Sequence, residues 1–190
     1  MPYQPQPLPA EVSPLYQRLF LPRSLYCHLQ VVHDTALQLV HGIKRSFPSV
    51  GIDADAVHFG AATHDIGKLI HSSEVHSSGK LHERDGPGLL LLLGVTPSLA
   101  RFAGTHGHWS IDSGLEDLLV SLADQIWKGT RQVSLATIAA ERLARESGCS
   151  AWQAYLELDD LLTEIAESAT DRLEYQLMSR GIVSRTSRSA

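Results

Sequence analysis

Residues 61–68 read AATHDIGK, and the fold and the site both depend on this stretch. Asp53 is a suitable N-cap upstream, and Val57, Ala61, His64 and Lys68 recur at helical spacing on one side. We therefore expect one helix from Asp53 to about Leu69 that carries the pair His64–Asp65. Adjacent helical residues point about 100° apart, so a metal ion lying between the two directions can be reached by both side chains.

The same helical spacing extends over most of the chain. Within residues 24–46, apolar side chains and His28 recur at helical spacing and form one stripe along a predicted helix. Asp85 is expected to cap a helix that contains Leu89–Leu93. A short helix should follow Pro97, and another should run from about Asp112 to Lys128. Ser134 should open a helix that Gly148 ends, and Ser150 should cap a long helix that closes near Gly181. No convincing strand alternation appears, so the fold class is all-α.

Three segments follow from composition. Four prolines in residues 1–13 predict an extended arm, residues 14–181 form one helical domain, and the Ser/Arg-rich residues 182–190 should fray. With 190 residues and 43% hydrophobic content, the chain can bury one full core.

Charge and cysteine content exclude several protein classes. A net charge of −5 argues against general nucleic-acid binding. Cys27 and Cys149 have no metal or redox spacing, which favours a reducing cytoplasm. The longest apolar run, Leu89–Leu93, is too short to span a membrane, and the polar N-terminus is unlike a signal peptide.

Ten histidines, all of them from His28 to His108, indicate metal chemistry around the pair His64–Asp65. Imidazole and carboxylate together suit Zn, Fe, Mn, Co or Ni. His28 shares its helical stripe with apolar residues and should point inward, whereas His33 lies about 140° around the helix. His28 is therefore the preferred ligand on this helix, although a histidine on such a stripe is often an ordinary core residue.

Four further side chains complete the candidate site. Asp124 lies in an apolar segment, where a carboxylate is costly to bury unless it is paired or binds a metal, the alternative being an ion pair with Lys128. His82 and His106 could form a second metal site bridged by Asp65, or they could lie on the surface or orient substrate; His108 competes with His106. Lys68 can neutralise a substrate phosphate, or it can simply pair with Asp65.

The stretch 24–131 resembles the HD-domain superfamily of metal-dependent phosphohydrolases. His28 with its apolar stripe, the HDIGK segment at 64–68, and Leu122-Ala123-Asp124 are similar to that family's motifs. The resemblance implies a helical bundle with the metal site at its centre. It assigns metal ligation to His28, His64, Asp65, His82, His106 and Asp124. Pro87 departs from the family pattern, which more often has a helix-favouring small residue at this place near the start of the helix.

The activity implied is hydrolysis of a phosphate ester or anhydride in a nucleotide or related small phosphorylated metabolite. It would use one or two divalent ions (Mn, Fe, Co, Ni, Zn or Mg), with Asp65 and Lys68 as catalytic residues. Arg84, Lys128 and Arg131 are further cations that could help to offset phosphate charge. Two other functions stay open: a di-iron oxygenase of similar fold, and a non-catalytic regulatory module. We expect no membrane partner, and homo-oligomerisation is possible.

Overall fold

The computed structural model describes residues 3–75 and 79–179, and all regular structure within them is helical. The all-α prediction is confirmed for these residues, which contain no strand. None of their helices has the length and apolar content needed to cross a membrane. The α-helices of the described residues are α1 Val12–Leu19, α2 Arg23–Ser46, α3 Ala54–Thr63, α4 Leu81–Leu92, α5 Pro97–Ala100, α6 Phe102–Thr105, α7 Leu115–Ile126, α8 Val133–Ser147, α9 Ala151–Glu167 and α10 Ala169–Ser179.

The long helix α2 lies at the centre and packs against α3, α7, α9 and α10. Its apolar stripe is buried as predicted, with Val32, Ala36, Leu39 and Ile43 fully enclosed in the main core. A second apolar cluster joins α1, the first part of α2, and α3 to α4, α5 and α6. The candidate ligands therefore project from helices that are held on both sides by apolar packing.

Three predicted helix ends are confirmed by their hydrogen bonds. The Ala56 N–H donates to the Asp53 side chain at 3.0 Å, so Asp53 caps α3. The Gln153 N–H donates to the Ser150 hydroxyl at 3.2 Å at the start of α9. Gly148 ends α8 with a left-handed backbone, φ 77°, a conformation that glycine adopts without steric cost.

The prediction that α3 continues to about Leu69 is wrong. The α-helix ends at Thr63, and a 3₁₀ turn follows at Ile66–Leu69. A Cβ atom at Gly67 would lie 2.1 Å from the carbonyl oxygen of His82, so this turn passes directly against the backbone of α4. The pair His64–Asp65 consequently lies in the bend between the two helical segments, where contact with α4 is possible.

The helix that follows starts earlier than predicted, and Asp85 does not cap it. Helix α4 begins at Leu81, because the Glu74 carboxylate accepts hydrogen bonds from the backbone N–H groups of Leu81 and His82. Asp85 lies inside the helix, as does Pro87, which does not prevent the helix from forming. The early start places His82 in the first turn of α4.

The single long helix expected after Ser150 is instead two helices, which meet at Ser168. The buried guanidinium of Arg172 donates to the Ile165 carbonyl at 2.6 Å and to the Trp127 carbonyl at 2.7 Å. Arg172 thus binds the carboxyl end of α9 and joins it to the segment after α7. The predicted closure near Gly181 and the tail at 182–190 lie outside the described residues.

Smaller differences affect the N-terminal arm and α7. Helix α1 begins at Val12, so the arm is shorter than 1–13, and its residues 3–9 form neither helix nor strand. The Tyr3 hydroxyl donates to the Asp34 carboxylate at 2.7 Å, which attaches the arm to α2. Helix α7 runs from Leu115 to Ile126, within the predicted range of Asp112–Lys128.

Replacement of Gly60 by alanine should destabilise the bundle, because the new Cβ would lie 2.6 Å from the Phe102 ring. We expect the free energy of unfolding to fall by about 2 kcal/mol, as for other overpacked cores. Gly88→Ala is the matched control: it is also helical, but nothing lies within 4 Å of its new Cβ. That variant should gain about 0.5 kcal/mol. Equal urea-unfolding midpoints for both variants would contradict the packing described for α3.

Candidate metal centre

The Asp65 carboxylate lies at the centre of the candidate site and is only 3% exposed. Its Oδ2 atom is 3.0 Å from His28 Nε2 and 3.6 Å from His64 Nε2. Its Oδ1 atom is 3.1 Å from His82 Nε2 and 3.5 Å from His106 Nε2. The two oxygens thus face two separate pairs of imidazoles, which is the arrangement of a carboxylate that can bridge two cations.

Asp124 belongs to the first of these halves. Its Oδ1 atom lies 3.3 Å from His64 Nε2 and 3.5 Å from His28 Nε2, and the two imidazole nitrogens are 3.3 Å apart. The potential ligand atoms of His28, His64 and Asp124 all lie within 4.8 Å of one another, and so do those of His64, Asp65 and His106. Both sets are close enough for their members to bind one divalent ion.

Hydrogen bonds orient three of the imidazoles. His64 Nδ1 lies 2.9 Å from the Ala61 carbonyl, and His106 Nδ1 lies 3.2 Å from the Phe102 carbonyl. His82 Nδ1 lies 2.6 Å from the Glu74 carboxylate. An imidazole that donates from Nδ1 can bind a metal ion through the lone pair of Nε2, and each of these Nε2 atoms lies beside Asp65. Metal-binding histidines usually have such a hydrogen-bond partner at the ring nitrogen that does not bind the metal.

The charges of the site favour a cation. Burial alone would raise the pKa of the Asp65 carboxyl, but the charge of His64 and hydrogen bonds from the other three imidazoles hold that pKa well below its usual range. Burial would lower the pKa of His64, yet the neighbouring carboxylates raise it. The buried Asp65 carboxylate and the partly exposed Asp124 carboxylate beside it therefore favour positive charge, and a bound metal ion can supply it in place of imidazole protons.

Lys68 contacts the same carboxylate. In a 3₁₀ turn the side chains at i and i+3 lie one above the other, which explains why the Lys68 ammonium donates to Asp65 Oδ2. The ion pair between Lys68 and Asp65, one of the two predicted roles of Lys68, is therefore present. Lys68 also lines a cavity of about 160 Å³ together with His28, Asp65 and Trp127, so its ammonium can reach a ligand there.

The structure brings only one of each pair of competing histidines into the site. His33 lies outside the cluster, with its ring 5.9 Å from that of His58. His106 is buried in the cluster, whereas the His108 side chain is 61% exposed and pairs with Glu83. No ion pair joins Asp124 to Lys128 within the described ranges 3–75 and 79–179.

Three residues of the site escaped the sequence analysis. Glu74 holds His82 and caps α4, and Glu83 forms a third potential ligand group with His82 and His106. The Trp127 ring packs against His28, with centroids 5.4 Å apart. Glu83 could have been considered because it adjoins His82 in a helix, but no spacing rule connects Glu74 to a helix that starts seven residues later.

Comparisons of the chain with protein-family models, with curated proteins and with solved structures gave no match.

Two alanine variants on α2 test the ligand geometry. His28→Ala should lower the amount of metal bound at saturation, because its Nε2 faces both Asp65 and Asp124. His33→Ala is the matched control: it removes the same side chain from the same helix and should leave metal content unchanged. Elemental analysis after equilibration with Mn²⁺ or Zn²⁺ gives the comparison. The reverse ranking would show that the metal lies on the other side of α2.

Proposed function

We propose that this protein is a metal-dependent phosphohydrolase with an HD-type helical bundle. The observation that carries the proposal is the bridging position of Asp65: its two oxygens face two imidazole pairs, and a cavity lined by Lys68 adjoins Asp65 and His28. Pairs of divalent ions held by shared carboxylates are a common solution for phosphoryl transfer. The resemblance of residues 24–131 to the HD-domain superfamily supports the same assignment.

The donor set fits one or two divalent ions of the Mn, Fe, Co, Ni, Zn or Mg group, since imidazole nitrogen and carboxylate oxygen are their usual ligands. His28, His64, Asp65 and Asp124 would hold the first ion, and Asp65, His82 and His106 the second. When bound, such ions polarise a phosphoryl oxygen and lower the pKa of water, so no nucleophilic side chain is required.

The protein side chains would position the substrate and offset its charge. The Lys68 ammonium, on the cavity wall beside Asp65, would attract a phosphoryl oxygen. Trp127 and Leu25 line the same cavity and would exclude water from it. At about 160 Å³ the cavity holds a phosphoryl group and the adjoining atoms, so the rest of a nucleotide or other small phosphorylated metabolite would extend outward.

The first experiment measures bound metal and then phosphate release from nucleotides and small phosphomonoesters, with that metal present. Asp65→Asn should abolish both metal binding and phosphate release, because the amide loses the charge and one acceptor oxygen. Asp112→Asn makes the same change on the surface and should retain both. Oxygen consumption with Fe²⁺ but no phosphate release would favour an oxygenase. Metal binding without either reaction would favour a regulatory module.

A second experiment separates metal binding from substrate binding. Lys68→Met keeps most of the side-chain volume but deletes the charge, and an ammonium cannot ligate a cation. We expect normal metal content and a loss of hydrolysis on the order of 10²-fold, as for removal of one electrostatic stabiliser. Lys44→Met, on the exposed end of α2, is the control and should be as active as the unaltered protein. If Lys68→Met stays within about threefold of normal turnover, Lys68 serves only to pair with Asp65.

A further inference from the structure

The orientation of His82 depends on a residue outside its own helix. His64 Nδ1 and His106 Nδ1 lie near carbonyl oxygens three and four residues earlier, within their own helical segments. His82 Nδ1 instead lies 2.6 Å from the carboxylate of Glu74, which belongs to a 3₁₀ turn at Ser72–Val75. Of these three imidazoles, His82 therefore has the anionic partner, and that partner comes from a separate element.

Glu74 also fixes the backbone that carries His82. Its Oε1 atom accepts a hydrogen bond from the Leu81 N–H at 3.2 Å, and its Oε2 atom accepts one from the His82 N–H at 3.0 Å. Glu74 is buried, and a Cβ atom at Gly79 would overlap its carboxylate, so the chain is closely packed around this side chain. One carboxylate thus holds both the ring and the backbone of His82, and its loss would release both.

The two halves of the candidate metal centre also differ in charge. Asp65 and Asp124 both face the imidazoles of the first half, whereas Asp65 is the carboxylate that faces both imidazoles of the second half. Two further carboxylates lie beside His82: Glu74 contacts its ring, and Glu83 pairs with an exposed imidazole. A carboxylate that accepts from the far nitrogen of an imidazole makes the ring a more basic metal ligand. Glu74 therefore adds to the second half, through His82, negative charge that a divalent ion requires.

We propose that Glu74 is a positioning residue for the second of the two ions, whose binding depends on Glu74 while binding of the first ion does not. The inference rests on the proposed function, in which Asp65, His82 and His106 hold that second ion. Glu74 would act through His82 and would itself touch neither the substrate nor the ion. Its loss should convert a centre for two ions into a centre for one ion at low metal concentration.

The test is equilibrium dialysis of the full-length protein against a graded series of Mn²⁺ concentrations, with bound metal measured by elemental analysis. We expect the unaltered protein to bind two ions per chain. Glu74→Gln keeps the side-chain size and removes the charge. One of the two dissociation constants should therefore rise about 10- to 100-fold, as for other partners of metal-binding histidines, while the other stays unchanged. Glu116→Gln is the matched control, since Glu116 also accepts a backbone N–H, that of Asp53 at 3.2 Å, and it should change neither constant.

A double-mutant comparison shows whether Glu74 acts through His82. His82→Ala should weaken the same ion that Glu74→Gln weakens, and adding Glu74→Gln to His82→Ala should weaken that ion no further. A merely structural role of Glu74 would lower metal binding in both backgrounds. If Glu74→Gln lacks helical circular dichroism, Glu74→Asp replaces it, because the shorter side chain keeps the charge but moves it away from the ring. The same ranking is expected with that variant.

Three results would overturn the inference while leaving the proposed hydrolase activity open to the phosphate-release experiment. They are two ions with unchanged affinities in the Glu74 variant, an equal loss of affinity for both ions in that variant, and a single ion in the unaltered protein. Absence of any bound Mn²⁺ in the unaltered protein would refute both this inference and the proposed function on which it rests.

Discussion

The burial of one carboxylate, that of Asp65, is the constraint on which the rest of the structure depends. An ionised carboxylate taken out of water is costly unless it is paired and hydrogen-bonded. The protein meets this requirement with imidazoles from four separate places in the chain: α2, the end of α3, the start of α4 and the end of α6. Each of these elements must keep its position for the carboxylate to remain paired, so the packing of the bundle and the geometry of the site depend on each other.

Close backbone contact makes this arrangement possible. Gly67 brings the 3₁₀ turn against the His82 carbonyl, and the turn presents Asp65 to both imidazole pairs. Glu74 then fixes the start of α4 and the orientation of the His82 ring together. His64 still has α-helical dihedrals, and the tighter turn begins after Asp65, so it is the chain from Ile66 to Leu69 that is redirected against α4.

The sequence predicted the features that depend on local periodicity and capping. His28 lies beside Asp65 and Asp124, as its stripe on α2 predicted, although His33 on another face is the more buried ring. Asp53, Gly148 and Ser150 end or begin helices as expected. The apolar surroundings of Asp124 correctly indicated a partner inside the bundle.

Sequence-based prediction failed where the ends of helices are set by side-chain contacts that follow no helical spacing. Glu74 sets the start of α4, and Arg172 joins the Ile165 carbonyl of α9 to the Trp127 carbonyl that follows α7. No periodic pattern contains such contacts. The central claim, that Asp65 joins two metal-binding groups, is tested most directly by anomalous X-ray diffraction from crystals grown with Mn²⁺. The account predicts a peak beside each Asp65 oxygen, one near His28 and His64 and the other near His82 and His106. Absence of any peak beside Asp65, with the metal present in the crystals, would contradict it.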